Sequence, residues 1–331
     1  MTRLGFGILG CGMIAGVHAA AIASLSDAVL IGAADASFER AADFAKAHGI
    51  TAYETYAAML ADPAIDAVCI CTPSGLHAEN ALDALAAGKH VVLEKPMALN
   101  VADADRVAAA CKAFGRHLTV ISQLRFSPDV HRAKQLVSEK AFGTLIFCDL
   151  FMKYHRDDAY YRDSPWRGTY RYDGGGALMN QGIHGIDLLR FIAGDYTAVS
   201  GITATRRHAI ETEDTAAALI RFDCGAPGVI EATTAANPGF DRRIEILGDR
   251  GYMTLRENRI ERLYIDGIAD EHHHIDVPPM SGSPVIASHE MHALQIKNLI
   301  DTVMGRGTLL ADASDGRAAL KIIEDIYSFN H

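Results

Sequence analysis

Glycines near the start of the chain have the spacing of a phosphate-binding turn. Two overlapping patterns of the Gly-x-Gly-x-x-Gly type are present, and the one running from Gly10 through Gly12 to Ala15 follows an apolar strand and opens a helical segment. That context is the one the motif needs, since the glycines allow a tight turn and close approach of a pyrophosphate. This register predicts a dinucleotide site, with phosphates at the helix N-terminus near Met13 and Ile14.

An acidic residue follows the second predicted strand, at the position from which such sites read the ribose. The strand over residues 29–34 ends at Asp35. A carboxylate there accepts hydrogen bonds from ribose hydroxyls and repels a 2′-phosphate, so we expect NAD(H) rather than NADP(H). Arg40, five residues on, is the one reservation, because a nearby arginine can serve a 2′-phosphate. Its other interpretation is a place on the surface of the next helix.

Two further segments carry polar side chains that packing does not require. They follow the predicted strands 67–71 and 91–93. Ligands of open parallel sheets bind beyond the carboxyl ends of the strands, so we expect both segments at a ligand crevice. The candidates are Thr72, Pro73 and His77 in the first segment and Glu94 and Lys95 in the second.

A third polar segment starts with the glycine-rich turn 174–176, which leads into a predicted helix over residues 177–192. Helical spacing places Asn180 and His184 on one face, at i and i+4. Asp187, three residues beyond His184, is explained as well by packing or hydrogen bonding as by a catalytic role.

The first part of the chain alternates short apolar runs with helical patterns, which is typical of βαβ units around a parallel sheet. The runs are continuous, as expected when helices cover both faces of the sheet. Predicted strands cover Leu4–Leu9, 29–34, 67–71, 91–93 and 118–121, and predicted helices cover 37–48, 78–87 and 101–114. We expect an α/β Rossmann domain over residues 1–122.

The rest of the chain, residues 123–331, has a different pattern. Helices are predicted at 129–140 and 177–192. One strand is predicted between them, at 144–153, and four follow them, at 215–222, 228–234, 243–247 and 252–255. Short turns between these strands indicate an α+β domain with a large, open, mostly antiparallel sheet. Helices are predicted again at 284–304 and 312–329, and these can pack back on the first domain.

Composition narrows the function classes. A chain of 331 residues, 49% of them hydrophobic, is long enough for two domains, and its net charge of −10 argues against a nucleic-acid or anionic-membrane surface. No signal segment or membrane-length apolar run is evident, and the six cysteines are scattered, so we expect a reduced, cytoplasmic protein. The consecutive histidines at 272–274 look like metal ligands. Adjacent residues of a strand point to opposite faces, however, so we expect no metal site there.

The order and spacing of these motifs resemble the Gfo/Idh/MocA family, the glucose-fructose oxidoreductase and inositol dehydrogenase group. The resemblance covers essentially the whole chain and includes the sequence Trp166-Arg167-Gly168-Thr169. It implies a Rossmann domain followed by an α+β domain whose open sheet forms homodimers or homotetramers. It also implies a sugar, sugar nucleotide or polyol as the substrate.

The resemblance makes Lys95 the lysine at the reacting centre and His184 the histidine that handles the proton, with Asn180 beside them. A histidine suits removal of a hydroxyl proton, and an ammonium stabilises the developing alkoxide while a hydride leaves for the nicotinamide. The resemblance also implies that Trp166 and Arg167 wall the nicotinamide end. Further residues are expected at the substrate, and these are Gln123, which also serves the cofactor, Arg125 and Tyr154.

One departure from the family pattern lies at Asn180, where many polyol-oxidising members carry Asp. An amide cannot ionise, which favours branches that act on nucleotide-linked or otherwise modified sugars. The loops 152–171 and 237–242 are expected to select the substrate. Two other functions stay open, namely a lyase or glycosidase that recycles NAD internally and a non-catalytic NAD-sensing regulator. Carbonyl reduction is an equally possible physiological direction, because hydride transfer is reversible.

Overall fold

The structure is a computed structural model that describes residues 3–275 and 288–329. The chain divides into two compact units, Met1–Gln123 with Ile286–Arg317, and Leu124–Val285 with Ala318–His331. The start of the predicted helix 284–304, residues 284–287, lies outside the described residues. None of the described helices is both long and apolar enough to span a bilayer.

The first unit contains a six-stranded parallel sheet in the order β3-β2-β1-β4-β5-β6. Its strands are β1 (Leu4–Leu9), β2 (Ala28–Ala34), β3 (Thr51–Tyr53), β4 (Ala67–Ile70), β5 (His90–Leu93) and β6 (Leu118–Val120). The helices between them are α1 (Met13–Ala23), α2 (Phe38–His48), α3 (Tyr56–Ala61), α4 (His77–Ala86) and α5 (Val101–Phe114). The strand order reverses between β1 and β4, which is the switch point where Rossmann sheets bind dinucleotides.

The second unit contains an eight-stranded sheet in the order β14-β13-β12-β11-β7-β10-β9-β8. Its strands are β7 (Leu145–Lys153), β8 (Tyr196–Ala204), β9 (Thr215–Phe222), β10 (Pro227–Thr233), β11 (Arg243–Gly248), β12 (Gly251–Arg256), β13 (Arg259–Ile265) and β14 (Ala269–His272). All neighbours are antiparallel except β7 and β10, which run parallel. The predicted Rossmann and mostly antiparallel sheets are both confirmed.

The helices of the second unit are α6 (Pro128–Ser138), α7 (Asp158–Arg162) and α8 (Ile183–Ala193), and the C-terminal helices are α9 (His289–Val303) and α10 (Ala313–Ser328). Six described strands and α-helices escape the sequence patterns, namely β3, α3, α7, β8, β13 and β14. Strand β3 and helices α3 and α7 are too short to show an apolar period, and β8 and β14 are edge strands.

Helix α9 belongs to the first unit. Its residues Ile296, Leu299 and Ile300 are fully buried in the core that also contains β1 and α1. The buried amide of Gln295 donates to the hydroxyl of Thr119 at 2.7 Å and to the carbonyl of Val120 at 2.8 Å. Its oxygen accepts from the backbone of Ser122 at 3.0 Å, so α9 supports the end of β6.

Candidate active site

The glycine turn leaves β1 at Gly10 and enters α1 at Met13. Gly10 has a φ of +88°, and a Cβ there would lie 2.8 Å from the carbonyl carbon and oxygen of Cys71, so only glycine fits. A Cβ on Gly12 would meet nothing within 4 Å, and Gly12 begins α1 without a capping side chain. Ala15 is fully buried. The uncapped start of α1 thus has room for a phosphate beside Gly12.

Asp35 follows β2, and both of its carboxylate oxygens accept backbone hydrogen bonds. The N–H of Cys11 donates to Oδ2 at 2.8 Å and that of Ser37 to Oδ1 at 2.9 Å. The Nε of Arg40 lies 3.5 Å from Oδ1, and its side chain is 61% exposed. Each carboxylate oxygen can accept a further hydrogen bond. Asp35 is therefore held against the glycine turn with acceptor capacity left for ribose hydroxyls.

His77 connects the two polar segments that follow β4 and β5. Its Nδ1 lies 2.7 Å from the carbonyl oxygen of Pro96, and its Nε2 lies 2.8 Å from that of Thr72. Burial lowers the pKa of His77, although both carbonyls favour the protonated ring. With both nitrogens engaged, His77 positions the segments rather than transferring a proton.

Glu94 is buried and forms an ion pair with His18 of α1. The Nε2 of His18 lies 2.9 Å from Oε1, and the backbone N–H of Lys95 donates to Oε2 at 3.3 Å. Burial alone would raise the pKa of Glu94, but the hydrogen bond and the positive charge of His18 outweigh it and lower that pKa to about 2. Glu94 is thus ionised at neutral pH and holds the backbone that carries Lys95.

The residues His18, Glu94 and His292 form the one described trio of possible metal ligands, with ligand atoms within 4.8 Å of one another. Burial lowers the pKa of His292 to about 4, so this ring is neutral. The 2.9 Å contact of His18 with Glu94 has the length of a charge-assisted hydrogen bond, and we interpret the trio as an ion pair with a neutral neighbour. His272 and His273 each lie near a carboxylate of their own segment instead.

The first unit brings its candidates to one edge of the sheet. Gly10, Thr72, Glu94 and Gln123 lie just beyond the carboxyl ends of β1, β4, β5 and β6. Lys95 is half-buried at this edge. In the described chain, the buried Oε1 of Gln123 has no hydrogen-bond partner, which is the state expected of a group that meets a ligand.

In the second unit, Asn180 lies in a π-helical turn, Ala177–Gly182, and His184 lies half-buried in the first turn of α8. The continuous α-helix predicted over residues 177–192 is therefore wrong in its first part. A π-helix bonds residue i to i+5, so the i to i+4 argument for Asn180 and His184 does not describe the local geometry.

The amide of Asn180 is fixed by its neighbours. Its Nδ2 donates to Asp173 at 2.6 Å, and its Oδ1 accepts from Nε2 of Gln181 at 2.9 Å. The Oε1 of Gln181 in turn accepts from Arg156 at 2.8 Å. A polar chain from Arg156 to Asp173 thus sets the orientation of Asn180.

Glu213 anchors the start of the π-helical turn. Its carboxylate accepts from the backbone N–H groups of Gly176 and Leu178, each at 2.9 Å, and from the hydroxyl of Tyr327 at 2.8 Å. Burial raises the pKa of Glu213 more than these donors lower it. The carboxylate supplies acceptors to N–H groups that a helix start leaves unpaired.

Arg125 and Tyr154, both expected at the substrate, are buried in the second unit. Arg125 is 1% exposed, and its Nε and Nη2 donate to Asp187 at 2.9 and 2.6 Å. Its guanidinium carbon lies 4.7 Å from the ring centre of Phe191. Tyr154 is 7% exposed, and burial raises its pKa to about 12. We assign both residues a packing role, and neither enters the proposed mechanism.

A cavity of about 750 Å³ in the second unit is lined by parts of residues 158–169 and by the segment 207–211. Arg167 belongs to this lining, and its guanidinium carbon lies 4.0 Å from the ring centre of Tyr160 and 5.4 Å from that of Trp166. The cavity therefore opens among the residues of the loop 152–171 that the sequence predicts to select the substrate.

Sequence reasoning overlooked four residues that position the candidates, His18, Arg156, Asp173 and Glu213. His18 is detectable in retrospect, because it is a histidine in the otherwise apolar helix α1. The other three act on partners that no local pattern identifies, since Glu213 binds backbone groups 35 and 37 residues away.

Comparison with known proteins finds two family models along the chain. Residues 4–122 match a model described as an oxidoreductase family with an NAD-binding Rossmann fold. Residues 130–254 match the GFO/IDH/MocA C-terminal domain.

Individual relatives match over most of the chain. The myo-inositol 2-dehydrogenase of Thermotoga maritima is 30% identical over 253 residues, 74% of this chain and 73% of its own length. The inositol 2-dehydrogenase of Rhizobium meliloti is 29% identical, with 96% and 94% covered. Among solved structures, the WlbA dehydrogenase of Bordetella pertussis, in complex with NADH and UDP-GlcNAcA, has a TM-score of 0.88 and 32% identity, with 99% of this chain and 96% of the other covered.

Proposed function

Because this chain belongs to the GFO/IDH/MocA oxidoreductase family, we propose that it transfers a hydride between NAD(H) and a secondary alcohol or ketone of a sugar, sugar derivative or polyol. The observation that carries the proposal is the glycine turn with Asp35 hydrogen-bonded against it. The named activities of the inositol dehydrogenases and the ligands of the WlbA structure support the substrate class.

The first unit fits the cofactor. The uncapped start of α1 beside Gly12 would hold the pyrophosphate, and Asp35 would hold the adenosine ribose. Bound NAD⁺ supplies the hydride acceptor. The edge that carries Thr72, Lys95 and Gln123 would then face the nicotinamide end.

In the proposed reaction, His184 accepts the proton of the substrate hydroxyl, and Lys95 stabilises the oxygen as its carbon loses the hydride. In carbonyl reduction, His184 would return the proton to the oxygen, and Lys95 would stabilise that oxygen as before. Asn180 is a positioning residue that orients the substrate, because its amide is fixed by Asp173 and Gln181. The ionised Glu94 holds the backbone at Lys95.

We test this mechanism by replacing Lys95 and His184 singly with Ala. NADH formation with a panel of sugars and polyols should fall about 10²- to 10⁴-fold in each variant, since each loses a group that acts on the reacting oxygen. NADH affinity, measured by fluorescence, should stay nearly unchanged. Lys112→Ala and His131→Ala, at exposed helix positions, serve as matched controls. Full activity of either active-site variant contradicts the mechanism, and product release without net NADH favours internal recycling of NAD.

We further propose that the chain forms a homodimer or homotetramer through the outward face of its eight-stranded sheet. Ile202 and Leu219 are 71% and 65% exposed on neighbouring strands β8 and β9. Phe147 of β7 lies opposite Leu247 of β11, and both are exposed. An apolar face spread over several strands is typical of a protein interface.

A further inference from the structure

Two arginines of the second unit form no ion pair with a carboxylate of the described chain. Arg156 is 6% exposed and donates to two neutral acceptors, the carbonyl of His155 and the amide oxygen of Gln181, each at 2.8 Å. Arg167 donates to the carbonyl of Tyr160 at 3.0 Å. Within residues 3–275 and 288–329, the buried Nε of each arginine has no hydrogen-bond partner. Burying a guanidinium without a counter-charge is costly, so the arrangement points to an anionic ligand.

Both guanidinium groups flank the ring of Tyr160, whose neighbour in the chain, Tyr161, lines the cavity of the second unit. Their central carbons are 5.3 Å (Arg156) and 4.0 Å (Arg167) from the ring centre of Tyr160. Arg167 lines the cavity directly. The carbonyl of Arg156 accepts from Arg207 at 3.1 Å and lies 3.0 Å from Nε2 of His208, and both of these residues also line the cavity. The charge of Arg167 therefore borders space that a ligand can enter, and the backbone of Arg156 contacts the same lining.

The other two arginines of the cavity lining have carboxylate partners. Arg162 lies 3.1 Å from a carboxylate oxygen of Asp163, and Arg207 lies 3.6 Å from one of Asp158. Among the arginines that line the cavity in the described chain, Arg167 alone has no carboxylate within ion-pair distance.

The same pair is connected to the residues of the proposed reaction. Arg156 binds Gln181, and Gln181 binds the side chain of Asn180 at 2.9 Å. Gln181 also donates to the hydroxyl of Tyr160 at 2.8 Å, the ring that both guanidinium groups flank. Hydrogen bonds through Gln181 would therefore connect an anion bound at Arg156 to Asn180.

We propose that Arg156 and Arg167 bind an anionic group of the substrate, a carboxylate or a phosphate carried by the sugar. Guanidinium groups match the geometry of both oxyanions and keep their charge at any physiological pH. The assignment of this anion to a substrate rests on the proposed function. Acidic or phosphorylated sugars, and not neutral ones, are then the preferred ligands.

Trp166 provides a test that needs no turnover, because it is the single tryptophan of the chain and its ring lies 5.4 Å from the guanidinium carbon of Arg167. Its fluorescence would be titrated in the full-length protein with glucuronate, glucose 6-phosphate, glucose and inorganic phosphate. We expect at least one of the two anionic sugars to bind 10-fold or more tightly than glucose. Which of the two binds more tightly distinguishes a carboxylate from a phosphate ligand.

Arg167→Gln should weaken binding of the preferred anionic sugar 10-fold or more and leave glucose binding unchanged, and Arg167→Lys should restore part of the loss. Arg132→Gln, at an exposed arginine of α6 paired with Glu271, is the matched control and should bind like the wild type. Equal binding of glucose and both anionic sugars, or an unaffected Arg167→Gln variant, would overturn the inference. Inorganic phosphate binding as tightly as the sugars would also overturn it, as an adventitious ion only. Selective binding without NADH formation would instead contradict the proposed function alone.

Discussion

At the scale of single residues, Asp35 combines two tasks. Its carboxylate connects the glycine turn to the end of β2 through Cys11 and Ser37, and it is the group that we propose to read the ribose. Arg40 lies close to the same carboxylate, and its side chain is also largely exposed, so it fits both interpretations left open by the sequence. The carboxylate of Asp35 would repel a 2′-phosphate that Arg40 alone would attract.

Asp35→Ala should therefore relax the preference for NAD over NADP. Loss of the carboxylate removes the ribose acceptor and releases Arg40 for a 2′-phosphate, so we expect KM for NAD to rise about 10-fold and KM for NADP to fall. Steady-state kinetics with both cofactors measure the ratio. Asp43→Ala, on the neighbouring helix α2, is a control. An unchanged ratio in Asp35→Ala would show that the ribose reader lies elsewhere.

At the scale of elements, the turn between β1 and α1 contains one glycine that folding requires and one that only a bound phosphate would require. Gly10 is needed because its backbone is left-handed and Cys71 leaves no room for a Cβ. Gly12 faces open space, so the protein alone does not require glycine there.

Gly10→Ala should lower the free energy of unfolding by about 1 to 3 kcal/mol, because the new methyl group meets backbone and the φ angle is strained. Gly12→Ala should unfold like the wild type and yet bind NADH at least about 10-fold more weakly, since its methyl group occupies the space of a phosphate. Urea unfolding and NADH titration measure the two effects. Equal NADH affinity of Gly12→Ala and wild type would contradict the assigned register.

The pair of Arg125 and Asp187 fixes α8 relative to the segment that precedes α6. Arg125→Met should cost about 3 to 5 kcal/mol in the free energy of unfolding, because the buried carboxylate loses its bidentate partner. The double variant Arg125→Met/Asp187→Leu should recover much of that loss, as apolar replacements of buried pairs often do. A single variant as stable as the wild type in urea would rule out this structural role.

At the scale of the whole molecule, the outward face of the eight-stranded sheet is the surface that we propose for assembly. Leu219→Lys combined with Ile202→Lys should convert the proposed oligomer to a monomer, because two charges would be buried in an apolar interface. Light scattering after size-exclusion chromatography measures the mass. Ile268→Lys, 71% exposed between β13 and β14, should leave the mass unchanged. A monomeric wild type, or an oligomeric double variant, would contradict the proposal.

Local patterns in the sequence were sufficient for the cofactor domain. The register at Gly10 and Gly12, the reader at Asp35 and the strands that precede Thr72 and Glu94 all follow from residues that are near neighbours in the chain. The residues that produce a glycine turn, a strand end or an apolar run all lie within about ten residues of one another in the sequence. The same holds for the alternating strands of the second sheet.

Only the tertiary structure decided which polar side chains have partners. It pairs Arg125 with Asp187, Glu94 with His18, and Glu213 with Gly176, all far apart in sequence. Buried charges and helix starts are satisfied by whichever group the fold brings near, and no local spacing encodes that group. For the same reason, no local spacing in the sequence distinguishes Arg156 and Arg167, which form no ion pair in the described chain, from arginines such as Arg162 that do.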